Sequence, residues 1–134
     1  MSHAVVARNL NKRHAGFALS DISLRIDSGC ITGIFGPTGA GKTTLLKLFA
    51  GITRPDSGEL SVLGMSYSDR ERDIKDRIGF VSEEPHLYPD KSLEWIGAFM
   101  GSIYGSWDSA RFEDLLRRFR IDSRQKVREL SRGQ

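Results

Sequence analysis

Gly36-Pro37-Thr38-Gly39-Ala40-Gly41-Lys42-Thr43 is the stretch around which the chain is organised. It fits the phosphate-binding pattern of Gly, four residues, then Gly-Lys-Ser/Thr. Ahead of it, Ile31-Thr32-Gly33-Ile34-Phe35 reads as a short apolar strand. Behind it, Thr44 to Ala50 reads as a helix. Phosphates need donors from several directions at once. Gly36, Gly39 and Gly41 let the backbone curl so that successive N–H groups point into one concavity. A helix starting there turns its unpaired N–H groups and positive dipole end toward the anion. Lys42 is placed to reach the β and γ phosphates, and the Thr43 hydroxyl to ligate Mg²⁺. Pro37, Thr38, Ala40 and Thr44 complete the expected phosphate-contacting set. A glycine turn before a helix would explain the glycines but not Gly-Lys-Thr at the helix start.

Length bounds the rest. The 134 residues make one domain or part of one. With 39% hydrophobic and 28% charged residues the composition is that of an ordinary globular protein. The net charge of +3, from 20 basic and 17 acidic residues, is too small to argue for nucleic acid, and no nucleic-acid partner is expected. Cys30 is the single cysteine, which excludes an intramolecular disulfide. Beside the apolar run at Ile31 it reads as a small packed residue. No apolar run approaches the ~20 residues of a membrane-spanning helix, and Met1-Ser2-His3-Ala4 shows no signal peptide. The chain reads as cytosolic, and a membrane role would need a partner.

In chain order, Ala4 to Asn9 reads as a strand and Asn11-Lys12-Arg13-His14-Ala15-Gly16 as a polar turn. Phe17 to Ile26 alternates apolar and polar residues and reads as one or two antiparallel strands. Asp27-Ser28-Gly29 turns into a strand over Cys30 to Phe35. The helix after Lys42 ends at Gly51, in the role of a C-terminal cap. Arg54 to Gly58 is a turn, Glu59 to Leu63 a short strand closed by Gly64, and Asp69 to Arg77 a charged surface helix. Ile78-Gly79-Phe80-Val81 reads as a buried strand, followed by a loop through Pro89. Ser92 caps a helix to about Tyr104, with Leu93, Ile96, Phe99, Met100 and Ile103 at helical spacing. Asp108 caps another, with Phe112, Leu115, Leu116 and Phe119 on one face. Both stripes read as packing positions. The basic run Arg117, Arg118, Arg120, Arg124, Lys126 and Arg128 is interspersed with Asp122 and Glu129 and reads as a solvated face, or else as a contact with a membrane partner.

Leu130-Ser131-Arg132-Gly133-Gln134 resembles the signature Leu-Ser-Gly-Gly-Gln of ABC transporter ATP-binding subunits, with Arg132 in place of a glycine. Arg54-Pro55-Asp56-Ser57-Gly58-Glu59 resembles the family's turn after the loop helix. Ile78 to Pro85 resembles its Q-loop segment. Together with the phosphate loop, these motifs follow the family's order over the whole length. Leu87-Tyr88-Pro89 and Ser106-Trp107-Asp108 look most like the exporter branch. The resemblance implies an α/β P-loop NTPase of ABC type: an antiparallel β subdomain, a partial parallel core sheet and part of a helical subdomain. Residues 1–89 would hold the nucleotide-binding core, and 90–134 a partial helical subdomain ending in the signature.

The resemblance also implies ATP and Mg²⁺ as cofactors. Two ATP-binding subunits, in a homo- or heterodimer, would sandwich the nucleotides. Ser131, Gly133 and Gln134 would then contact nucleotide held on the partner subunit. Transmembrane permease subunits would hold the protein on the inner face of the cell membrane. At the Q-loop glutamine this chain has Glu83, whose carboxylate would serve as a Mg²⁺ ligand or stand as a solvated loop residue. Where the family stacks a tyrosine on adenine it has His14, which turn chemistry explains equally well; Phe17 is a substitute. The family's catalytic glutamate and switch histidine come after the signature. The chain is therefore expected to be the N-terminal part of a longer ATPase, inactive and marginally stable alone. The competing readings are a non-transport ATPase of the same superfamily, of translation-factor or DNA-repair type, and a naturally short nucleotide-binding protein without hydrolysis.

Overall fold

The computed structural model describes residues 2–14, 16–82, 87–131 and 133. The chain divides into two compact units, Met1–Phe80 and Val81–Gln134.

In the first unit β1 (His3–His14) and β2 (Phe17–Asp27) form an antiparallel hairpin. The other side of β1 pairs with β3 (Ser57–Val62), which turns back into β4 (Met65–Ser66). The sheet order is β2-β1-β3-β4, and every pairing is antiparallel. The expected polar turn over residues 11–16 is overturned: Asn11 to His14 belong to β1. Their polarity is absorbed by a neighbour distant in sequence. The Lys12 ammonium lies 2.7 Å from an Asp56 carboxylate oxygen, and the Arg13 N–H donates to the other oxygen at 2.7 Å. Phe17 to Ile26 lies within one strand.

The hairpin bends where its register shifts around Ala7, Leu10 and Lys12. Asn9 and Asp21 adopt left-handed backbone there, with φ of 47° and 54°. Their short polar side chains make them the L-residues that tolerate it best. Ser23 Oγ accepts from the Asn9 N–H, and Asn11 Oδ1 from the Asp21 N–H, so the irregular backbone keeps its partners. The bend carries Ala7, Leu10 and Leu19 onto Leu45, Leu48 and Phe49 of α1 (Lys42–Phe49), and these six form the core of the unit.

Helix α1 stops by a defined device. Ala50 is its C-cap, and Gly51 follows with φ 65°. The Gly51 N–H donates to the Leu48 carbonyl and the Ile52 N–H to the Lys47 carbonyl, the paired bonds of a Schellman ending. Leu63 and Gly64, with φ of 52° and 74°, make the two-residue turn between β3 and β4. Helix α2 (Tyr67–Lys75) is capped by Ser66, bends at Arg70 and buries Ile74. The Tyr67 hydroxyl donates to the Phe49 carbonyl at 2.7 Å, tying α2 to the end of α1.

Neither Cys30–Phe35 nor Ile78–Val81 forms a strand, against expectation. Neither segment enters a ladder among the described residues. A hairpin supplies its own neighbour, whereas a parallel strand needs one from far along the chain. The antiparallel subdomain is formed; no parallel core strand is formed among the described residues. Ile31, Phe35 and Val81 are accordingly almost wholly exposed. Cys30 is exposed rather than packed, its thiol 3.1 Å from the Asp27 carbonyl.

The second unit holds α3 (Leu93–Ile103) and α4 (Ser109–Phe119). Ser92 caps α3 by accepting from the Trp95 N–H, and Asp108 caps α4 by accepting from the Arg111 N–H. Leu93, Ile96 and Ile121 are buried. The segment after α4 is stitched along the start of α3: the Leu93 N–H donates to the Gln125 carbonyl and the Val127 N–H to the Lys91 carbonyl. A short 3-10 turn spans Val127–Glu129. The stripe on α3 packs through Leu93 and Ile96. The stripe on α4 departs from expectation: no residue of α4 is buried, and Leu115 and Phe119 are exposed.

Candidate functional site

The loop over residues 36–41 follows the 30–35 segment and delivers the chain into α1. Gly39 and Gly41 adopt φ of 84° and 88°. This left-handed region is costly for a residue with a Cβ. A Cβ on Gly41 would also overlap the Phe17 ring and lie 2.7 Å from Leu19. Gly41 is the N-cap of α1 and brings no capping side chain. Leu45 is the first residue to donate within the helix pattern, its N–H 2.8 Å from the Gly41 carbonyl. Among the described residues the N–H groups of Lys42, Thr43 and Thr44 have no backbone acceptor and no side-chain cap. Those donors, aligned with the helix dipole, form the electropositive floor of the site.

Lys42 folds back over the loop. Its ammonium donates to the Gly36 and Pro37 carbonyls, each at 2.8 Å. The Ala40 N–H closes the turn onto the Pro37 carbonyl at 3.2 Å. Gly36, Pro37, Thr38, Gly39 and Ala40 are all exposed, as is Thr43. The expected phosphate-contacting residues are thus gathered in one concave turn with a helix start beneath it.

The end of the β1–β2 hairpin stands beside this turn through Phe17, whose ring fills the space next to Gly41. His14 pairs with Phe17 across the hairpin and is exposed. Of the two rings proposed for adenine, Phe17 is the one packed against the loop. The hairpin end is held by Asp56. The hydrogen bond from Lys12, and then that from the Arg13 N–H, keep the Asp56 carboxyl below its ordinary value of 3.8. Neither this clamp nor the Tyr67 bond to Phe49 is signalled by local sequence, because each joins residues far apart in the chain.

Ser131 and Gly133 lie in the second unit, after the 3-10 turn, and Ser131 is exposed. No helix begins at Ser131 among the described residues. Glu83 and Gln134 lie outside the described residues.

The donor set suits a polyphosphate: an ammonium, a row of free N–H groups and two threonines. For Mg²⁺ the described residues offer the Thr43 hydroxyl and no cluster of three His, Cys, Asp or Glu side chains. That accords with a cation that keeps several waters and takes further oxygens from phosphate. A cavity of about 740 Å³ opens elsewhere in this unit, lined in part by Arg8, Leu48, Arg54, Tyr67 and Glu71. Its charges are already matched: Arg8 lies 3.4 Å from Glu59, and Arg54 lies 3.0 Å from Glu71. The Lys75 hydrogen bond, foremost, holds the Glu71 carboxyl below its usual range. The uncapped start of α1 opens on the loop, and none of residues 36–44 lines this cavity. No described helix is long and apolar enough to cross a membrane.

Known proteins resemble the chain throughout. The family model described as "ABC transporter" matches residues 19–134. A putative ABC transporter ATP-binding protein of Methanosarcina mazei is 48% identical over 68 residues, which is 51% of this chain and 23% of that protein. A probable sulfate/thiosulfate import ATP-binding protein of Chlorella vulgaris is 31% identical over 131 residues, 96% of this chain and 52% of that protein. Among solved structures, an ATP-binding subunit of an ABC transporter superposes with a TM-score of 0.82 at 26% identity, over 97% of this chain and 57% of that one. The chain therefore spans from under a quarter to about half of the curated relatives it matches here.

Proposed function

The chain belongs to the ABC transporter family, and from that premise we propose that it holds the phosphates of ATP in the 36–44 turn, as part of an ATPase subunit that energises transport. The observation that carries this reading is the open first turn of α1 beneath two left-handed glycines, with the Lys42 ammonium already at the rim. The relatives named as ATP-binding proteins support it.

The chemistry follows from the residues. The N–H groups of residues 42–44 face an incoming anion without desolvation of new donors. Lys42 leaves the Gly36 and Pro37 carbonyls and turns to phosphate oxygens, exchanging neutral acceptors for charged ones. Thr43 offers its hydroxyl to the cation. Mg²⁺ bound with the nucleotide would neutralise phosphate charge. Phe17, with His14 across the hairpin, gives the base an aromatic edge to lie against. Glu83 belongs to this proposal as a second magnesium ligand by resemblance alone. Ser131, Gly133 and Gln134 belong to it as contacts to nucleotide on a partner subunit. A second ATP-binding subunit and transmembrane permease subunits, with placement at the cytoplasmic membrane face, complete the reading. The exporter direction rests on the resemblance at residues 87–89 and 106–108.

Titration of a fluorescent ATP analogue with Mg²⁺ tests it, in the full-length protein and its Lys42→Ala variant. Loss of a charge-assisted contact, worth about 1.5–3 kcal/mol, corresponds to about a tenfold to hundredfold weaker Kd. Equal affinity in the two proteins would overturn the assignment of the loop.

A further inference from the structure

Given a nucleotide held in the 36–44 turn, the reading on which this rests, we propose that Asp56 is a positioning residue for its base. The β1–β3 ladder ends at the Asn11–Ser57 pair, because β3 begins at Ser57. β1 runs on for Lys12, Arg13 and His14, which face Leu19, Ala18 and Phe17 on β2. On their other side no strand follows them among the described residues, and the Asp56 side chain stands in its place. One carboxylate oxygen accepts from the Lys12 ammonium and the other from the Arg13 N–H, both at 2.7 Å. The Asp56 N–H donates in turn to the Asn11 carbonyl at 2.9 Å. A carboxylate that accepts from two adjacent residues fixes direction as well as distance.

The hairpin end is thereby tied to α1 twice. Phe17 packs against Gly41, the N-cap of the helix. Asp56 stands on the chain that leaves the other end, where the Ile52 and Thr53 N–H groups both donate to the Lys47 carbonyl. Two attachments set the tilt of the hairpin over the loop, which one alone would leave free. Arg13 is one pair away from His14 and Phe17. Release at Asp56 therefore frees the end that carries the aromatic edge, while the ladder below it stays paired. The other ion pair between the same strands, Arg8 with Glu59, is looser. It spans 3.4 Å with side chains 64% and 77% exposed, whereas Lys12 keeps 16% of its side chain exposed. Pairs as open as that one hold little. The hydrogen bonds that shape the loop, from Lys42 to the Gly36 and Pro37 carbonyls and from Ala40 to Pro37, run without Asp56. Phosphate contacts should then survive its removal, and contact with the base should not.

The test is titration calorimetry of the full-length protein with MgATP and with magnesium tripolyphosphate, which has the phosphates and no base. The quantity read is the preference for ATP over tripolyphosphate. Stacking a base on an aromatic side chain corresponds to at least about fivefold in affinity. Asp56→Asn should lower the preference by about that factor. Its tripolyphosphate affinity should stay at the wild-type value, which also reports an intact fold. Lys12→Met, which leaves the Arg13 N–H bonded to Asp56, should lower the preference in the same direction. The double variant should lose less than the sum of the two, as a coupled pair does. Arg8→Gln should leave the preference unchanged. Lys42→Ala should instead weaken both ligands; if it weakens neither, the loop assignment fails and this proposal with it. Weakening of both ligands by Lys42→Ala, with an unchanged preference in Asp56→Asn or Lys12→Met, overturns the clamp alone. Equal loss of both ligands in Asp56→Asn, an equal fall in Arg8→Gln, or a wild-type protein without preference for ATP overturns it as well.

Discussion

Gly41 carries two demands that no other residue meets together. Its φ of 88° and the Phe17 and Leu19 side chains pressed against it exclude a Cβ. Gly41→Ala should cost about 1–3 kcal/mol of stability and weaken nucleotide binding as well, measured by urea denaturation and by titration of the nucleotide analogue. Asp56 makes a different prediction. Its carboxyl is held low by the Lys12 hydrogen bond and the Arg13 N–H, so its folded-state affinity for protons is reduced. Stability from that source is complete above the ordinary value of 3.8 and is lost as pH falls through the lower folded value. Asp56→Asn should therefore lower the urea midpoint at neutral pH, with the gap to wild type closing below pH 3.8. The loop residues were legible because their chemistry is local: eight consecutive positions set the turn and the helix start. The Lys12–Asp56 clamp was not legible, since it joins positions 44 residues apart.

Among elements, those whose ends are marked by local chemistry stand where the sequence puts them. Ser92 and Asp108 cap α3 and α4, and Gly51 follows α1 at the left-handed position. A Cβ on Gly51 would run into the Tyr67 ring that bonds the end of α1. Gly51→Ala should thus destabilise by about 1–3 kcal/mol, seen as a lowered thermal midpoint. β1 ran longer than its apolar pattern, because Lys12 and Arg13 find their partner on the Arg54–Gly58 turn rather than in water. The stripe on α4 misled for the opposite reason. Helical spacing reports that one face is apolar, not what covers it.

For the molecule as a whole, the decisive quantity is apolar surface left without a neighbour. Ile31, Phe35 and Val81 are almost wholly exposed, on segments that join no sheet among the described residues. Exposed apolar runs of that kind bind hydrophobic dyes and associate. The 134-residue chain should enhance 1-anilinonaphthalene-8-sulfonate fluorescence, and Ile31→Lys with Phe35→Lys should reduce both the dye signal and light scattering; an unchanged signal would place the dye elsewhere. The apolar runs themselves were legible as strands, but pairing is a property of two segments, and a single stretch of sequence cannot supply the second. The outer strand of the sheet handles its own exposure differently. β2 is an edge of eleven residues, long enough to template a foreign strand. The left-handed step at Asp21 interrupts its outward row of amides and carbonyls, and Arg25 and Asp27 place charge along the remainder. The kink that folds the hairpin over α1 thereby also acts as a gatekeeper, limiting any incoming strand to a short, misaligned match and guarding this edge of the sheet against fibrillar growth.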